Sequence, residues 1–314
     1  MRPFPDFVIA GSAKSGTTAL YLMLDQHPDV YMSQIKETNF FVHGFEPTRQ
    51  LVGHRGDRAL DSQDDSDITD TLEKYRALFA GADSAATLGE ASPWYLINKT
   101  VPGRLRAHRD DIKVVIILRN PSDVAFANFV HQVRDRAEIL TVDEVDGVFE
   151  QSRYDREDLY PFCRHLELPR YSRHLPVWID TFDRSQLHIM IYEEFRANRR
   201  GALSELFQFL GLRDDVDIQV DRPVNVSGMP KSKRAQDLLQ GSMGFKKIVG
   251  LIVPKKPRRK FRSYLEKLNT GARVEMEPCT RERFDRLYTP DLEYVEALLG
   301  RRMSEWRQLR HDDA

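Results

Sequence analysis

The sequence predicts an α/β fold, with a P-loop-like central parallel sheet flanked by helices and a helical C-terminal part. Two continuous apolar runs, 7–10 and 114–118, are typical of strands that are buried on both faces of a parallel sheet. Segments with helical spacing of their apolar residues lie between the strand-like stretches. Strands that alternate with helices indicate right-handed crossovers, which place helices on both faces of the sheet.

The order of the elements follows from the same periodicity and from the turn residues between them. We expect strands at 6–11, 30–32, 87–90, 114–118 and 187–192, and helices that begin near residues 17, 71, 121 and 171. Pro121 favours a helix start, because the first turn of a helix does not need the N–H that proline lacks. A last core-packing helix is predicted over 288–306. We expect one domain over 1–314, with 240–275 as a basic amphipathic insert.

The first functional signal is the segment Gly-Ser-Ala-Lys-Ser-Gly-Thr-Thr at 11–18, directly after the first apolar run. It is close to a phosphate loop, but its lysine, Lys14, precedes Gly16 instead of following it. A glycine-containing turn between a buried strand and a helix points backbone N–H groups at an anion, and the helix dipole adds positive potential. The segment therefore predicts an anion site whose lysine contacts a different part of the ligand than in a nucleoside triphosphatase.

The second signal is Arg119, which follows directly after the apolar run at 114–118. A phosphate-loop triphosphatase of the usual type needs an aspartate there to hold Mg²⁺. An arginine at the carboxyl end of a parallel strand suits a second phosphate, because a guanidinium can bind two phosphate oxygens at once. Together the two signals predict a nucleotide with phosphates at two separated places and no metal.

At these residues the chain resembles sulfotransferases that use 3'-phosphoadenosine 5'-phosphosulfate (PAPS), in particular a bacterial branch similar to heparan-sulfate sulfotransferases. Five segments carry the resemblance in the expected order: 14–18, 34–41, 89–95, 115–127 and 192–195. The resemblance runs from about Asp6 to Phe209 and resumes at 225–228. It implies that a sulfuryl group moves from PAPS, bound as co-substrate without a metal, to a hydroxyl or amine by in-line displacement.

The resemblance also implies roles for individual residues. Lys14 would be the electrostatic catalyst, since it would reach the bridging oxygen as negative charge develops on the leaving 5'-phosphate. Donors for the 5'-phosphate would come from Ser15, Gly16, Thr17 and Thr18. Gly16 would let the backbone approach the ligand closely. Arg119 would bind the 3'-phosphate.

Glu37 is the implied general base, which would take the proton from the acceptor hydroxyl or amine. Outside the resemblance, an exposed glutamate paired with Lys36 would be the preferred interpretation of this residue. Glu90, at a predicted strand end, is the alternative base, although we favour a role in holding a loop by hydrogen bonds. His27 and His131 are further alternatives, and we interpret both as structural, His27 as a cap at a helix end.

Two departures from the family pattern affect the predicted site. Many members carry a serine at Ala127, and its loss removes a hydrogen bond to an anion that is worth about 1.5–3 kcal/mol. Asn128 or a residue from a later loop would compensate. Many members also carry a lysine at Ala91. A late basic loop closes over the nucleotide in the family, which implies Lys231 and Arg234 as further nucleotide-binding residues, and an exposed basic turn is the alternative for them.

The composition restricts the partners. The net charge of −1 argues against a general nucleic-acid binder.

Segment 243–265 joins an apolar patch to a dense basic cluster, which suggests peripheral contact with an anionic membrane. The alternative for this segment is a packed helix pair with a solvated basic rim. No signal-peptide pattern or bilayer-spanning run is present, so we expect a cytoplasmic protein. The acceptor is expected to be a glycan, a glycolipid or another small molecule.

Two other classes of function remain open at this stage. A small-molecule kinase with a deviant phosphate loop should need Mg²⁺ and bind ATP, and the lack of an aspartate after the second apolar run counts against it. A nucleotide-binding module without catalysis would not need Glu37 or Lys14, whereas Ala91 and Ala127 fit it. The sulfotransferase hypothesis accounts for the largest number of residues.

Overall fold

The computed structural model describes residues 4–43, 69, 71–84, 86–134, 166–221 and 275–307. Within these ranges the strands are β1 (Phe7–Gly11), β2 (Val30–Met32), β3 (Thr87–Ala91), β4 (Lys113–Leu118) and β5 (Leu187–Ile191). The helices on the N-terminal side of β5 are α1 (Thr17–Leu24), α2 (Phe40–His43), α3 (Leu72–Ala77), α4 (Val101–His108), α5 (Pro121–Arg134) and α6 (Tyr171–Thr181). Those after β5 are α7 (Tyr192–Ala197), α8 (Arg199–Leu210), α9 (Pro278–Leu287), α10 (Thr289–Leu299) and α11 (Ser304–Arg307). The predicted α/β alternation is confirmed.

The sheet is parallel throughout, with the strand order β2-β3-β1-β4-β5. The central strand β1 pairs with β3 on one side and β4 on the other, so that Phe7 lies opposite both Gly89 and Lys113. All carboxyl ends therefore lie at one edge of the sheet, and the loops after β1, β3 and β4 are neighbours there. Ligands bind at this edge in open α/β sheets, where connections diverge from a central strand.

Two apolar layers cover the sheet, because successive side chains of a strand point to opposite faces. Val8, Val114 and Ile116 belong to one layer, together with residues of α2, α3, α4, α6 and α10. Phe7, Ile9 and Val115 belong to the other layer, together with residues of α1, α7 and α8. Because these strands are buried on both faces, their sequences are continuously apolar instead of alternating between apolar and polar residues.

The prediction of a single helix over 288–306 was wrong. The structure has α10 and α11 there, and Gly300 stands between them in the left-handed conformation, with φ of 66°. Such a glycine ends a helix, because no side chain opposes the turn of the backbone. In the part of the chain that the structure describes, no helix is long and apolar enough to cross a bilayer.

Candidate functional site

The turn between β1 and α1 forms a cradle of donors at the carboxyl edge of the sheet. Lys14 and Gly16 both have left-handed backbone, with φ of 63° and 86°, and Gly16 is the N-cap of α1. The first N–H groups of a helix have no acceptor within the helix, so those of Thr17 and Thr18 face the end of the cradle. Ser15 is fully buried, and its hydroxyl oxygen has no hydrogen-bond partner. A buried hydroxyl without a partner is what a bound anion would satisfy.

Tyr192, the first residue of α7, closes the other side of the cradle. A Cβ atom at Gly16 would lie 2.9 Å from a ring carbon of Tyr192, so no larger residue fits there. The guanidinium carbon of Arg119 lies 5.0 Å from the centroid of the same ring, a cation–π distance. The sequence had marked Tyr192 only as part of a strand-end segment. In the fold this ring lies against both predicted anion-binding elements.

Arg119 lies against the cradle. Its Nη1 donates to the carbonyl oxygen of Lys14 at 3.1 Å, and its Nη2 lies 3.5 Å from Oδ2 of Asp123. The hydroxyl of Tyr171 holds its backbone, accepting from the N–H at 3.2 Å and donating to the carbonyl at 2.8 Å. The Nε atom is buried and has no hydrogen-bond partner. The structure thus brings the two anion-binding elements predicted from the sequence into direct contact, and each keeps a buried donor.

The backbone after Arg119 is held by a buried polar network. The side-chain carbonyl of Asn120 accepts from the N–H of Ser122 at 3.0 Å and so caps the start of α5. Glu193 accepts from the N–H of Asn120 at 3.1 Å and from the indole of Trp306 at 2.9 Å. Burial raises the pKa of Glu193, and these two hydrogen bonds oppose that rise. The C-terminal helices therefore support the strand end that carries Arg119.

Asn128 lies on α5, one turn beyond Val124 and on the same side of the helix. Val124 packs with Ala13 of the cradle. Asn128 is almost fully buried, and its amide nitrogen has no hydrogen-bond partner. Ala127, where the family serine is missing, lies on the next position around the helix and is partly exposed. Asn128 is thus a third buried donor without a partner, one helical turn beyond the residue that packs against the cradle.

Glu37 crosses the end of β3, beside the cradle. Its N–H donates to the carbonyl of Ala91 at 2.9 Å, and the N–H of Asn39 donates to the hydroxyl of Ser92 at 3.1 Å. Glu37 and Asn39 both have left-handed backbone, with φ of 64° and 48°. The carboxylate of Glu37 is 43% exposed and forms an ion pair with Lys36. The ion pair is the contact expected of a surface glutamate, but the backbone is fixed by the strand end in a conformation that non-glycine residues rarely adopt.

Glu90 is fully buried below this segment. Its carboxylate accepts hydrogen bonds from four hydroxyls, those of Thr38 at 2.5 Å, Ser92 at 2.6 Å, Tyr75 at 2.7 Å and Tyr95 at 2.8 Å. Burial and the carboxylate of Glu90 raise the pKa values of Tyr75 and Tyr95, so both remain donors. An acceptor could not reach a carboxylate enclosed in this way. The geometry favours the loop-holding role of Glu90 over its role as a base.

We predict that Glu90→Ala destabilises the protein by about 2–4 kcal/mol, because each buried donor left without an acceptor costs about 1–3 kcal/mol. Denaturant unfolding would measure the change. Glu73→Ala is the matched control, since Glu73 is exposed in the first turn of α3, and we expect an effect below about 0.5 kcal/mol there. Equal stability of the two variants would contradict the structural role of Glu90.

The remaining predicted residues lie elsewhere. His27 is buried, its Nδ1 accepts from the N–H of Asp29 at 3.1 Å, and its Nε2 lies 3.0 Å from the carbonyl of Arg213. His27 is thus a buried structural residue, but the prediction that it caps the helix was wrong, because the C-cap of α1 is Asp25. Lys231, Arg234 and segment 243–265 lie outside the described residues. Among the described residues, no group of three or more histidine, cysteine, aspartate or glutamate side chains could hold a metal ion.

Comparison with known proteins gives a family and several relatives. The family model described as "Sulfotransferase domain" matches residues 4–225. The bifunctional heparan sulfate N-deacetylase/N-sulfotransferase of Drosophila melanogaster is 28% identical over 218 residues, which are 68% of this chain and 20% of that protein. Human heparan sulfate glucosamine 3-O-sulfotransferase 3B1 is 24% identical over 235 residues, which are 75% of this chain and 53% of that protein. The chain thus spans about a fifth to a half of the length of these relatives.

A solved structure extends the similarity over nearly the whole chain. The crystal structure of a sulfotransferase from Alicyclobacillus acidocaldarius is 26% identical in sequence and superposes with a TM-score of 0.68. The superposition covers 97% of this chain and 99% of that one. This match therefore covers more of the chain than residues 4–225, to which the family model matches.

Proposed function

This chain belongs to the sulfotransferase domain family, and on that premise we propose how it binds its donor and moves the sulfuryl group. The reaction is the transfer of a sulfuryl group from PAPS to a hydroxyl or amine of an acceptor. The observation that carries the proposal is the direct contact between the cradle and Arg119, each with a buried donor that has no partner. A nucleotide with one phosphate group at each end of its ribose would satisfy both at once.

The cradle binds the 5'-phosphosulfate end of the donor. Ser15 supplies its buried hydroxyl, while Gly16, Thr17 and Thr18 supply backbone N–H groups at the positive end of the α1 dipole. Arg119 binds the 3'-phosphate, for which its charge and its buried Nε are suited. Asn128 donates its buried amide to the nucleotide or to the acceptor beside it.

Lys14 and Glu37 carry out the chemical step. Glu37 takes the proton from the acceptor hydroxyl or amine as that atom forms its bond to sulfur. The bond between sulfur and the 5'-phosphate oxygen breaks in the same displacement, and Lys14 stabilises the negative charge that remains on the leaving oxygen. Both residues lie on turns at adjacent strand ends, so one acceptor atom could face Glu37 while the leaving oxygen faces Lys14.

The acceptor is proposed to be a sugar hydroxyl or amine, on a glycan, a glycolipid or a smaller molecule. The two heparan sulfate enzymes described above support this class, since by their names one is an N-sulfotransferase and the other a 3-O-sulfotransferase. The exposed carboxylate of Glu37 is accessible to such an acceptor.

We predict that the protein binds 3'-phosphoadenosine 5'-phosphate (PAP) in the presence of EDTA and that Arg119→Ala weakens this binding about 10- to 150-fold. Each hydrogen bond between charged groups is worth about 1.5–3 kcal/mol, and 1.4 kcal/mol is about tenfold in Kd. Titration calorimetry measures the Kd of PAP for the unmodified protein and for Arg119→Ala, with ATP as the comparison ligand.

The control for this prediction is Arg213→Ala. Arg213 is 53% exposed and pairs with Asp29, which precedes β2 at the opposite edge of the sheet. We expect its loss to leave PAP binding unchanged. Preference for ATP that depends on Mg²⁺, or absence of PAP binding, would overturn the sulfotransferase proposal and favour the kinase alternative.

A further inference from the structure

We propose that Arg281, on helix α9, is a further residue of the subsite for the 3'-phosphate of the donor and takes the place of the serine that is missing at Ala127. The proposal rests on the proposed function, because it assigns a residue to the same nucleotide site. Arg281 lies outside residues 4–225, to which the family model matches, and none of the motifs read from the sequence contains it.

The carboxylate of Asp123 joins Arg281 to the site. Nη2 of Arg281 lies 2.5 Å from Oδ1 of Asp123, and Nη2 of Arg119 lies 3.5 Å from Oδ2 of the same carboxylate. The two guanidinium groups are therefore neighbours on either side of one side chain. Ala127 follows Asp123 by four residues on α5, so the missing hydroxyl would stand one helical turn away on the same face.

Both guanidinium groups keep a buried donor. Nη1 of Arg281 and Nε of Arg119 are buried and have no hydrogen-bond partner, although the two side chains are only 19% and 14% exposed. An arginine side chain stays charged at any ordinary pH, so a buried N–H group of it that lacks an acceptor is energetically unfavourable until a ligand supplies one. A phosphate group has enough oxygens to accept from both at once, whereas Asp123 already uses its two oxygens on the other nitrogens.

Helix α9 is fixed in the position that this role needs. Asp285 accepts from the hydroxyl of Ser122 at 2.5 Å, and Phe284 packs in one apolar cluster with Ala125 of α5. Arg170 donates to the carbonyl of Leu287, the last residue of α9, at 2.9 Å. These contacts hold the C-terminal half of α9, and the pairing with Asp123 holds the turn that carries Arg281. Arg281 therefore meets a ligand with little further loss of conformational freedom.

The alternative is that Arg281 only ties α9 to α5 through Asp123. The two roles differ in the ligand they affect. A tie between helices would change the binding of every nucleotide or of none. A contact with the 3'-phosphate would change the binding of PAP but not of adenosine 5'-monophosphate (AMP), which has no 3'-phosphate.

The test is calorimetric titration of Arg281→Gln with PAP and with AMP, beside the unmodified protein. We expect PAP to bind at least tenfold more weakly and AMP to keep its Kd within about twofold. Arg286→Gln is the control on the same helix, since Arg286 is 72% exposed and pairs with Glu282. We expect both ligands to bind this control unchanged.

A second variant keeps the test decisive if Arg281→Gln does not fold. Arg281→Lys retains the charge and can pair with Asp123, but it lacks the second nitrogen of the guanidinium fork that would reach the phosphate. We expect an unchanged Tm and a several-fold loss of PAP affinity only. Two results would overturn the role of Arg281 and leave the proposed function standing. The first is an equal loss of affinity for PAP and for AMP. The second is an unchanged affinity for PAP in the Arg281 variants while Arg119→Ala weakens PAP binding. Failure of the unmodified protein to bind PAP would overturn both.

Discussion

Glu37→Gln should lower kcat for sulfuryl transfer by about 10²–10⁴ and leave the affinity for PAP nearly unchanged. The amide has the size of the carboxylate but cannot take a proton from the acceptor. The donor contacts lie in the cradle and at Arg119, so binding of the nucleotide should not depend on this side chain. Initial rates with a responsive sugar acceptor, together with calorimetric titration of PAP, would measure both quantities.

Asp29→Asn is the matched control for this prediction. Asp29 is 49% exposed and pairs with an arginine, much as Glu37 is 43% exposed and pairs with Lys36, but it precedes β2 at the opposite edge of the sheet. Its kcat should not change. If Glu37→Gln also kept its kcat, Glu37 would be no more than the exposed, ion-paired residue that its contact with Lys36 suggests, and the general base would have to come from another residue.

The strands, and the strand ends that carry the candidate site, could be predicted because a strand that is buried on both faces has an uninterrupted apolar sequence. Val114 and its neighbours are apolar without interruption, and the residue after them, Arg119, stands at the carboxyl edge. The family model, the parallel sheet and the similarity to a solved sulfotransferase confirm the predicted family and fold class.

The helices were predicted less completely, for local reasons. Helix α4 was missed because Val-Pro-Gly-Arg-Leu-Arg-Ala-His has a glycine and a proline within it, and its buried face consists of Val101, Pro102 and Leu105. Helix α8 carried signals that could have been used, since Asn198 caps its start and Gly211 ends it in the left-handed conformation. Gly300 was a comparable signal within the predicted C-terminal helix.

The site depends on contacts that spacing along the chain does not encode. Asp123 and Arg281 are 158 residues apart, and Glu193 and Trp306 are 113 residues apart, yet both pairs support the end of β4. The sequence offered Glu37 and Glu90 as two carboxylates at strand ends. Only the fold separates them, because it encloses Glu90 in hydroxyls and leaves Glu37 exposed. The single-domain boundaries, the cytoplasmic location and the membrane contact of 243–265 stay predictions.

Lys14→Met should lower kcat by about 10²–10³, the range found when one preorganised donor to developing charge is removed. Methionine keeps the length of the side chain but has no charge to stabilise the leaving 5'-phosphate. The loss should lie near the upper end of the range, because this chain has no second lysine at the position of Ala91. Ala91 is fully buried within an apolar layer, so its surroundings are suited to a small apolar side chain rather than to a cation.

The division between kcat and KM decides what Lys14 does. Loss of an interaction that is made only in the transition state lowers kcat and kcat/KM together, whereas loss of an interaction made equally with substrate and transition state raises KM alone. Lys74→Met is the control, because Lys74 is exposed on α3, away from the cradle, and its kinetics should not change. A raised KM for PAPS with an unchanged kcat would show Lys14 to be a binding residue, and the charge on the leaving oxygen would then be stabilised by the backbone donors of the cradle.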